Sequence, residues 1–362
     1  MSLDVAMQSA PTEANPRKVF LGLRLALVAV VGVILFVAEL SIGAAAIPVL
    51  DVFQALTTGE ASSQVWINII WEFRLPRALN AAVSGAALGA AGIMLQALFR
   101  NPLADPYILG IVHGARLGAA ILVVATGLAG NAFLLRFGLI GDAGLAVASV
   151  VGGLVVLFIL SALSSRISIV TLLLVGLMLG YFSIGLMNAL MHFVDESHAK
   201  AFKAWDDASF AGATWQQLKI LVPGILAGLA AIAFLAKPLN AMLLGDRYAA
   251  SMGIPVGCIK LAVLAATGWF CGMVTAFCGP VAFLGLVAAH IARGLVGASD
   301  HRVLLPAAAL LGSTVGLAAD LVTHLPLEHH IFHLNAVIGL VGAPVALFVL
   351  LRSRALRSWE GS

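Results

Sequence analysis

The stretch from Arg74 to Gly118 most constrains what this chain can fold into. It opens with Arg74-Leu75-Pro76-Arg77 and then runs for about twenty residues without a formal charge, the length that matches the hydrocarbon core of a bilayer. A polar turn follows, Arg100-Asn101-Pro102-Leu103-Ala104-Asp105-Pro106, and a second apolar run begins at once. Ser84, Gly85, Gly89 and Gly92 fall at helical spacing, which lets another helix backbone come close inside lipid. The stretch reads as a helical hairpin across a membrane.

Composition extends this reading to the whole chain. Of 362 residues, 61% are hydrophobic and 10% charged, whereas soluble domains carry about a quarter charged residues. In lipid only helical bundles or closed barrels satisfy every backbone group, and runs of about twenty select helices. Ten spans are expected, near 19–42, 78–98, 108–130, 138–162, 169–193, 217–236, 259–278, 281–297, 303–323 and 334–351. Gly279-Pro280 nearly fuses two of them, and the proline favours a break with both halves inside the membrane region. The first run, Val19 to Ile42, exceeds a signal-peptide core and reads as a retained span. The fold class is therefore all-α, with tails at 1–18 and 352–362 around a transmembrane domain at 19–351.

Charge asymmetry orients the bundle. With the N-terminus in the cytoplasm, that side receives Arg17, Lys18, Arg100, Arg166, Lys237, Arg247, Lys260, Arg302, Arg352, Arg354 and Arg357. Most carboxylates, including Asp51, Glu60, Glu72, Asp142, Asp195, Glu196, Asp206, Asp207 and Glu328, fall outside with Arg74, Arg77, Arg136, Lys200, Lys203 and Lys219. Both termini are expected in the cytoplasm. The net charge of +3 gives no reason to expect nucleic acid. Cys258, Cys271 and Cys278 form no CxxC pair, so buried packing is expected rather than a disulfide or zinc site.

The motifs resemble the FecCD or BtuC-like permease family of importers for iron chelates, haem and vitamin B12. Arg74-Leu75-Pro76-Arg77 and Gln96-Ala97-Leu98-Phe99-Arg100-Asn101-Pro102-Leu103-Ala104-Asp105-Pro106 are similar to its most recognisable segment. Gly279 to Arg293, Asp300-His301-Arg302-Val303-Leu304-Leu305-Pro306, Ala319-Asp320 and Gly342-Ala343-Pro344 are similar to its later signatures. Departures cluster on the outer side: His113 and Arg116 replace small residues, His324 stands where arginine is common, and Ile331 to Gly339 differ from the family's pattern. Ala289 also replaces the proline before His290.

The resemblance implies a homodimer with two ATP-binding-cassette ATPase subunits and a periplasmic binding protein, in the bacterial inner membrane. It implies ATPase coupling through the loop 238–256, with Leu239, Asn240, Leu244, Gly245, Asp246, Ala249 and Gly253 matching the family's segment. Two short helices around Gly245-Asp246 suit this loop, with Asp246 capping the second and Gly245 permitting a close turn or contact. Arg74, Arg77 and His324 are candidates for binding-protein docking. Arginines at a span's outer end often merely snorkel, but Pro76 favours an extended entry that presents both guanidiniums outward. Gln96, Asn101, Pro102, Trp205, His290 and Asp320 are candidates for the translocation path or its gates. The aromatic loop from about Asp195 to Trp215 reads either as an interfacial helix or as a gate element.

No G-x-x-x-x-G-K-[ST] loop is present, so nucleotide phosphates find no cradle here and ATP and Mg would be used by the partner ATPase. No catalytic residue, bound metal or cofactor is expected in this chain. His192, His198, His324, His329, His330 and His333 crowd the outer side, where a titratable interfacial loop is the simpler reading than a metal or haem site. They tilt the cargo towards iron or haem. The rival reading is a self-sufficient, proton-coupled secondary transporter using Asp320 or these histidines.

Overall fold

In the computed structural model, residues 16–129, 142–164, 166–194, 196–325 and 332–359 are described. The expected sites Arg136, Asp195, Glu328, His329, His330 and Ile331, and most of the N-terminal tail, lie outside them. Helices α1 (Pro16–Ser41), α4 (Leu75–Phe99), α5 (Ile111–Ala129), α6 (Asp142–Ser164) and α7 (Ile169–Met191) cover the first five apolar runs. Helices α9 (Trp215–Ile232), α12 (Val256–Cys278), α13 (Leu284–Val296), α14 (His301–Thr323) and α15 (Leu334–Trp359) cover the other five. Shorter elements decorate the ends: α2 (Val49–Thr57), α3 (Gln64–Asn68) with a π-helical turn Ile69–Arg74, α8 (Glu196–Asp206), α10 (Ala236–Leu243) and α11 (Asp246–Ser251). The end carrying α2, α3 and α8 is called outer, and the end carrying α10 and α11 inner, after the charge of their loops. The α2–α3 pair is invisible to a search for twenty-residue runs.

Helix α4 is the axis of the bundle. Its apolar window is 83% buried, against 6% for α1, which faces outward along most of its length. The sequence places glycine where α4 meets its neighbours. A Cβ at Gly85 or Gly89 would overlap the carbonyl oxygens of Gly312 or Ala308 on α14, and one at Gly92 that of Gly285 on α13. A second glycine seam joins α5 to α6, through Gly114 and Gly118 against Gly152 and Ala148.

Several helices start with conventional caps. Ser168 accepts from the Thr171 amide, Thr214 and Gln217 form a capping box, and Asp300 accepts from the Arg302 amide. Helix α13 differs. At 13 residues it rises only about 20 Å and starts inside the bundle, after Gly279 (φ 71°) and Phe283 (φ 58°). The break expected at Gly279-Pro280 is present. Its backbone groups are met from elsewhere in the sequence: Asn335 accepts from the Ala282 amide (2.9 Å) and donates to the Pro280 carbonyl (2.8 Å), and Asp105 accepts from the Leu286 amide (2.9 Å). A bare helix end at membrane depth would leave such groups without water. Of the cysteines, Cys271 and Cys278 are buried as expected, but Cys258 is exposed.

Glycine at the α4–α14 seam is a steric requirement, so Gly89→Val is expected to lower stability by about 1–3 kcal/mol through overpacking. Gly294→Ala, with nothing within 4 Å of the added methyl, is expected to gain up to about 1 kcal/mol in an exposed helix interior. Thermal midpoints in detergent check this; equal midpoints for the two variants overturn the packing account.

Candidate functional site

The expected site residues gather at the two ends of α4. At the outer end, Arg77 sits one turn into the helix and reaches across to α14. Its Nε and Nη2 donate to the two carboxylate oxygens of Asp320 at 2.7 and 2.9 Å, and Nη2 also donates to Thr323 Oγ1 at 2.9 Å. Asp320 is 1% exposed and Arg77 20%, so the pair is part of the interior. Arg74, in the π-helical turn, donates to the carbonyls of Leu40 and Ala45 near the outer end of α1. The expectation that both guanidiniums point outward is corrected. The chain ahead of α4 stays helical through Pro76, at an early helical position where proline is tolerated, and the helix aims each arginine at acceptors within the fold.

His324 closes this network. Its Nδ1 lies 2.8 Å from the Asp320 backbone carbonyl and its Nε2 3.3 Å from Glu39 Oε2. A carbonyl only accepts, so Nδ1 carries a ring proton, and Nε2 faces the Glu39 carboxyl. Glu39 is 2% exposed and was missed by the sequence reading. The available signal was a carboxylate within an otherwise apolar span, which normally faces the bundle interior. Above these residues opens an outer cavity of about 840 Å³ bordered by Arg74, His324, Phe73, Asp207, Phe332 and His333.

Trp205 anchors α8 to the bundle. Its indole donates to the Ala276 carbonyl at 3.0 Å and its ring packs against Phe202, while Asp206 pairs with Arg116 of α5. The Ser209 amide donates to the Cys278 carbonyl, and a side chain at Gly279 would overlap the Trp205 carbonyl. Helix α8 is thus tied to the α12–α13 break, where the bundle interior leaves the helical pattern.

At the inner end, Gln96 Oε1 accepts from Arg293 Nε at 2.9 Å, linking α4 to α13. Asn101 accepts from the Leu103 amide and shapes the turn at Pro102, and His290 lies on α13 close to the Pro102 backbone. Two short helices occupy the loop 238–256, as expected. Gly245 adopts φ 117°, and a methyl added there would meet nothing within 4 Å, so it is present for its backbone conformation and not for a close contact. Gly253 takes φ 80° in the same way. The expected capping role of Asp246 is also corrected: Gly245 holds the cap position, and Asp246 is the first helical residue, paired with Arg100 (2.5 Å) and Lys260 (2.6 Å). Its charge still suits a helix N-terminus.

Asn240 does unexpected structural duty. Its Oδ1 accepts from the His301 amide, lies 2.8 Å from His301 Nδ1, and its Nδ2 donates to Asp300 at 2.6 Å. It therefore fastens α10 to the start of α14. The bonds from the Arg302 amide and from Asn240 stabilise the Asp300 carboxylate and lower its pKa. Leu239 and Ala249 are buried beneath the segment, while Leu244, Tyr248 and Met252 are 67, 53 and 57% exposed.

These features define a multi-pass membrane permease: a glycine-seamed helical bundle with a broken helix inside it and a two-helix platform at its inner end. The chain belongs to the FecCD transport family, whose model matches residues 29–352. It is 37% identical over 302 residues to the vitamin B12 import system permease protein BtuC of Klebsiella pneumoniae, covering 83% of this chain and 88% of that one. The BtuC of Shigella boydii is 35% identical over 312 residues, with 83% and 92% covered. A solved metal-chelate type ABC transporter, described as putative and in an inward-facing conformation, is similar with a TM-score of 0.73 at 28% identity, over 94% of this chain and 100% of that one.

Removing Arg77 strands a buried carboxylate, and removing Asp320 strands a buried cation. Each single alanine variant is expected to lose about 3–5 kcal/mol, and the double variant less than the sum, because neither charge is then left alone. A double-mutant cycle of thermal stability in detergent measures this. Additive losses mean that the two residues do not act as a pair.

Proposed function

We propose that this chain is the membrane-spanning subunit of an ATP-driven importer that carries a metal chelate (a ferric siderophore or haem, with cobalamin as the further candidate) into the cytoplasm. It works as a homodimer with two ATPase subunits and a periplasmic binding protein, in the bacterial inner membrane with both termini cytoplasmic. The transmembrane domain is placed at 19–351 between the short tails. The observation that carries this reading is the inner platform. Its Leu244, Tyr248 and Met252, large apolar side chains within nine residues on and beside the two short helices, are all exposed, and exposed apolar side chains grouped in this way suit a protein interface. The family match supplies the class of partner, and the absence of a phosphate loop from this sequence requires one.

Mechanistically, the ATPases push on α10 and α11. Asn240 passes that displacement to α14, and the glycine seam passes it to α4, so the helices move as packed bodies. The chain's own chemistry is binding and movement, with no covalent step and no bound cofactor. At the outer face, the binding protein meets the rim of the large cavity, to which Arg74 presents an edge and which His324 borders with both ring nitrogens already engaged. Arg77 contributes by holding that rim, because its guanidinium is already engaged with Asp320. The same pairing commits Asp320, the carboxylate named for the proton-coupled rival, to Arg77. Gln96, Asn101, Pro102 and His290 border the inner mouth and Trp205 the outer one.

Proteoliposomes holding the chain alone are expected to take up none of cobalamin, a ferric siderophore and haem, with or without a proton gradient. Uptake of one of them is expected once the ATPase, ATP and the loaded binding protein are added. Gradient-driven uptake by the lone chain overturns the importer reading.

A further inference from the structure

We propose that Arg100 is the positioning residue that carries the movement of α10 and α11 to the α4–α5 turn at the inner mouth. The proposal rests on the importer reading given above, and goes beyond it by assigning the tie to one side chain.

The first observation is conformational. Arg100 ends α4 in the left-handed region, at φ 47° and ψ 37°. Helix ends of this form usually take glycine, since a Cβ is strained there. The chain has 37 glycines and uses several of them at the close contacts along this helix, yet it keeps a long cationic side chain here. The backbone alone gives no reason for an arginine.

The side chain supplies one. A single nitrogen, Nη2, donates to the Met242 carbonyl at 3.1 Å and to Asp246 Oδ1 at 2.5 Å. Met242 belongs to α10 and Asp246 to α11, so this one group spans both helices of the platform. In the other direction Arg100 is joined by its peptide bond to Asn101 and Pro102, and the Asn101 amide donates to the Gln96 carbonyl at 3.2 Å. A displacement of the platform therefore has a direct polar route to the turn through this residue, beside the apolar packing of Leu98 on Ala241, Met242 and Ala249.

Two further features separate this role from mere support of the fold. Asp246 is held independently by Lys260 at 2.6 Å, so α11 keeps a cationic partner when Arg100 is changed. The side chain is also 46% exposed and borders a cavity of about 180 Å³ with Ser161, Ser164, Ile167 and Leu172 on its far wall. It is not wedged in the core.

The test uses the full reconstituted complex and whichever of cobalamin, a ferric siderophore or haem the unaltered complex transports. It measures chelate moved per ATP hydrolysed, together with thermal stability. Arg100→Gly relieves the backbone strain and removes the tie, so its thermal midpoint is expected to be equal or higher. Its ATPase subunits are expected to bind and hydrolyse ATP, with transport per ATP down at least about fivefold, the lower end of ordinary coupling energies. Arg100→Gln is expected to show the same loss, and Arg100→Lys, which keeps the cation, to restore at least half of the ratio. Full coupling in Arg100→Gly overturns the proposal and leaves the importer reading intact. A loss of coupling that tracks a fall in thermal midpoint, or no recovery with lysine, assigns Arg100 to structure and overturns it as well. An unaltered complex that moves none of the three chelates with ATP overturns the importer reading itself, and this proposal with it.

Discussion

Everything in this bundle depends on how closely α4 approaches α13 and α14. Inside lipid there is no water to expel from between helices, so association relies on packing and on backbone proximity. Gly85, Gly89 and Gly92 remove the side chains that would hold α4 away from Ala308, Gly312 and Gly285. Contact is then backbone on backbone, with little that can yield locally. A 25-residue helix held this way is a rod of about 37 Å, and its two ends, near Arg77 and Arg100, are linked across the membrane by its stiffness. This is the physical basis for treating the outer cavity and the inner platform as parts of one machine.

The same closeness permits irregular backbone at membrane depth. The segment between α12 and α13 and the turn from Asn101 to Gly110 both leave the helical pattern inside the bundle. Each unpaired amide or carbonyl there would be costly without water. Asp105 meets the start of α13, Asn335 holds both sides of the break, and the segment after α8 takes the last carbonyl of α12. The break sits beside Trp205 and the turn beside His290, so the irregular regions and the candidate gates coincide. A helix end held by side-chain bonds moves more readily than one continuing as helix, which suits a place where a path must open.

Much of this was legible in the sequence, for physical reasons that differ by feature. The ten helices follow from hydropathy because lipid tolerates little else, and the α4 seam follows from glycines at helical spacing. The two-helix platform was legible from Gly245 and Asp246, although their roles were exchanged: the glycine holds the cap position and the aspartate pairs with cations. Long-range bonds were not legible. Nothing local to Asp105 or Asn335 says that they serve residues 181 or 53 positions away. Glu39 was hidden because hydropathy averages one carboxylate away, and without Glu39 and Asp320 as partners two arginines at a span end look destined for water. The α2–α3 pair escaped because nine and five residues fall below any window tuned to a bilayer.

The two ends of α4 also use opposite electrostatics, and this bears on which end moves. Arg77 and Asp320 are buried together, so parting them exposes an uncompensated charge in a poor solvent, at a cost of about 3–5 kcal/mol. Such a pair holds one geometry. Arg100 and Asp246 are both more than 40% exposed, and pairs of that kind are worth only about 0–1 kcal/mol because water competes for each partner. They can be parted and remade within a transport cycle with little loss, Lys260 retaining Asp246 meanwhile. A stiff brace at the outer rim and a replaceable tie at the inner platform are what a rod needs if it is driven from the inside and must keep its outer rim in shape.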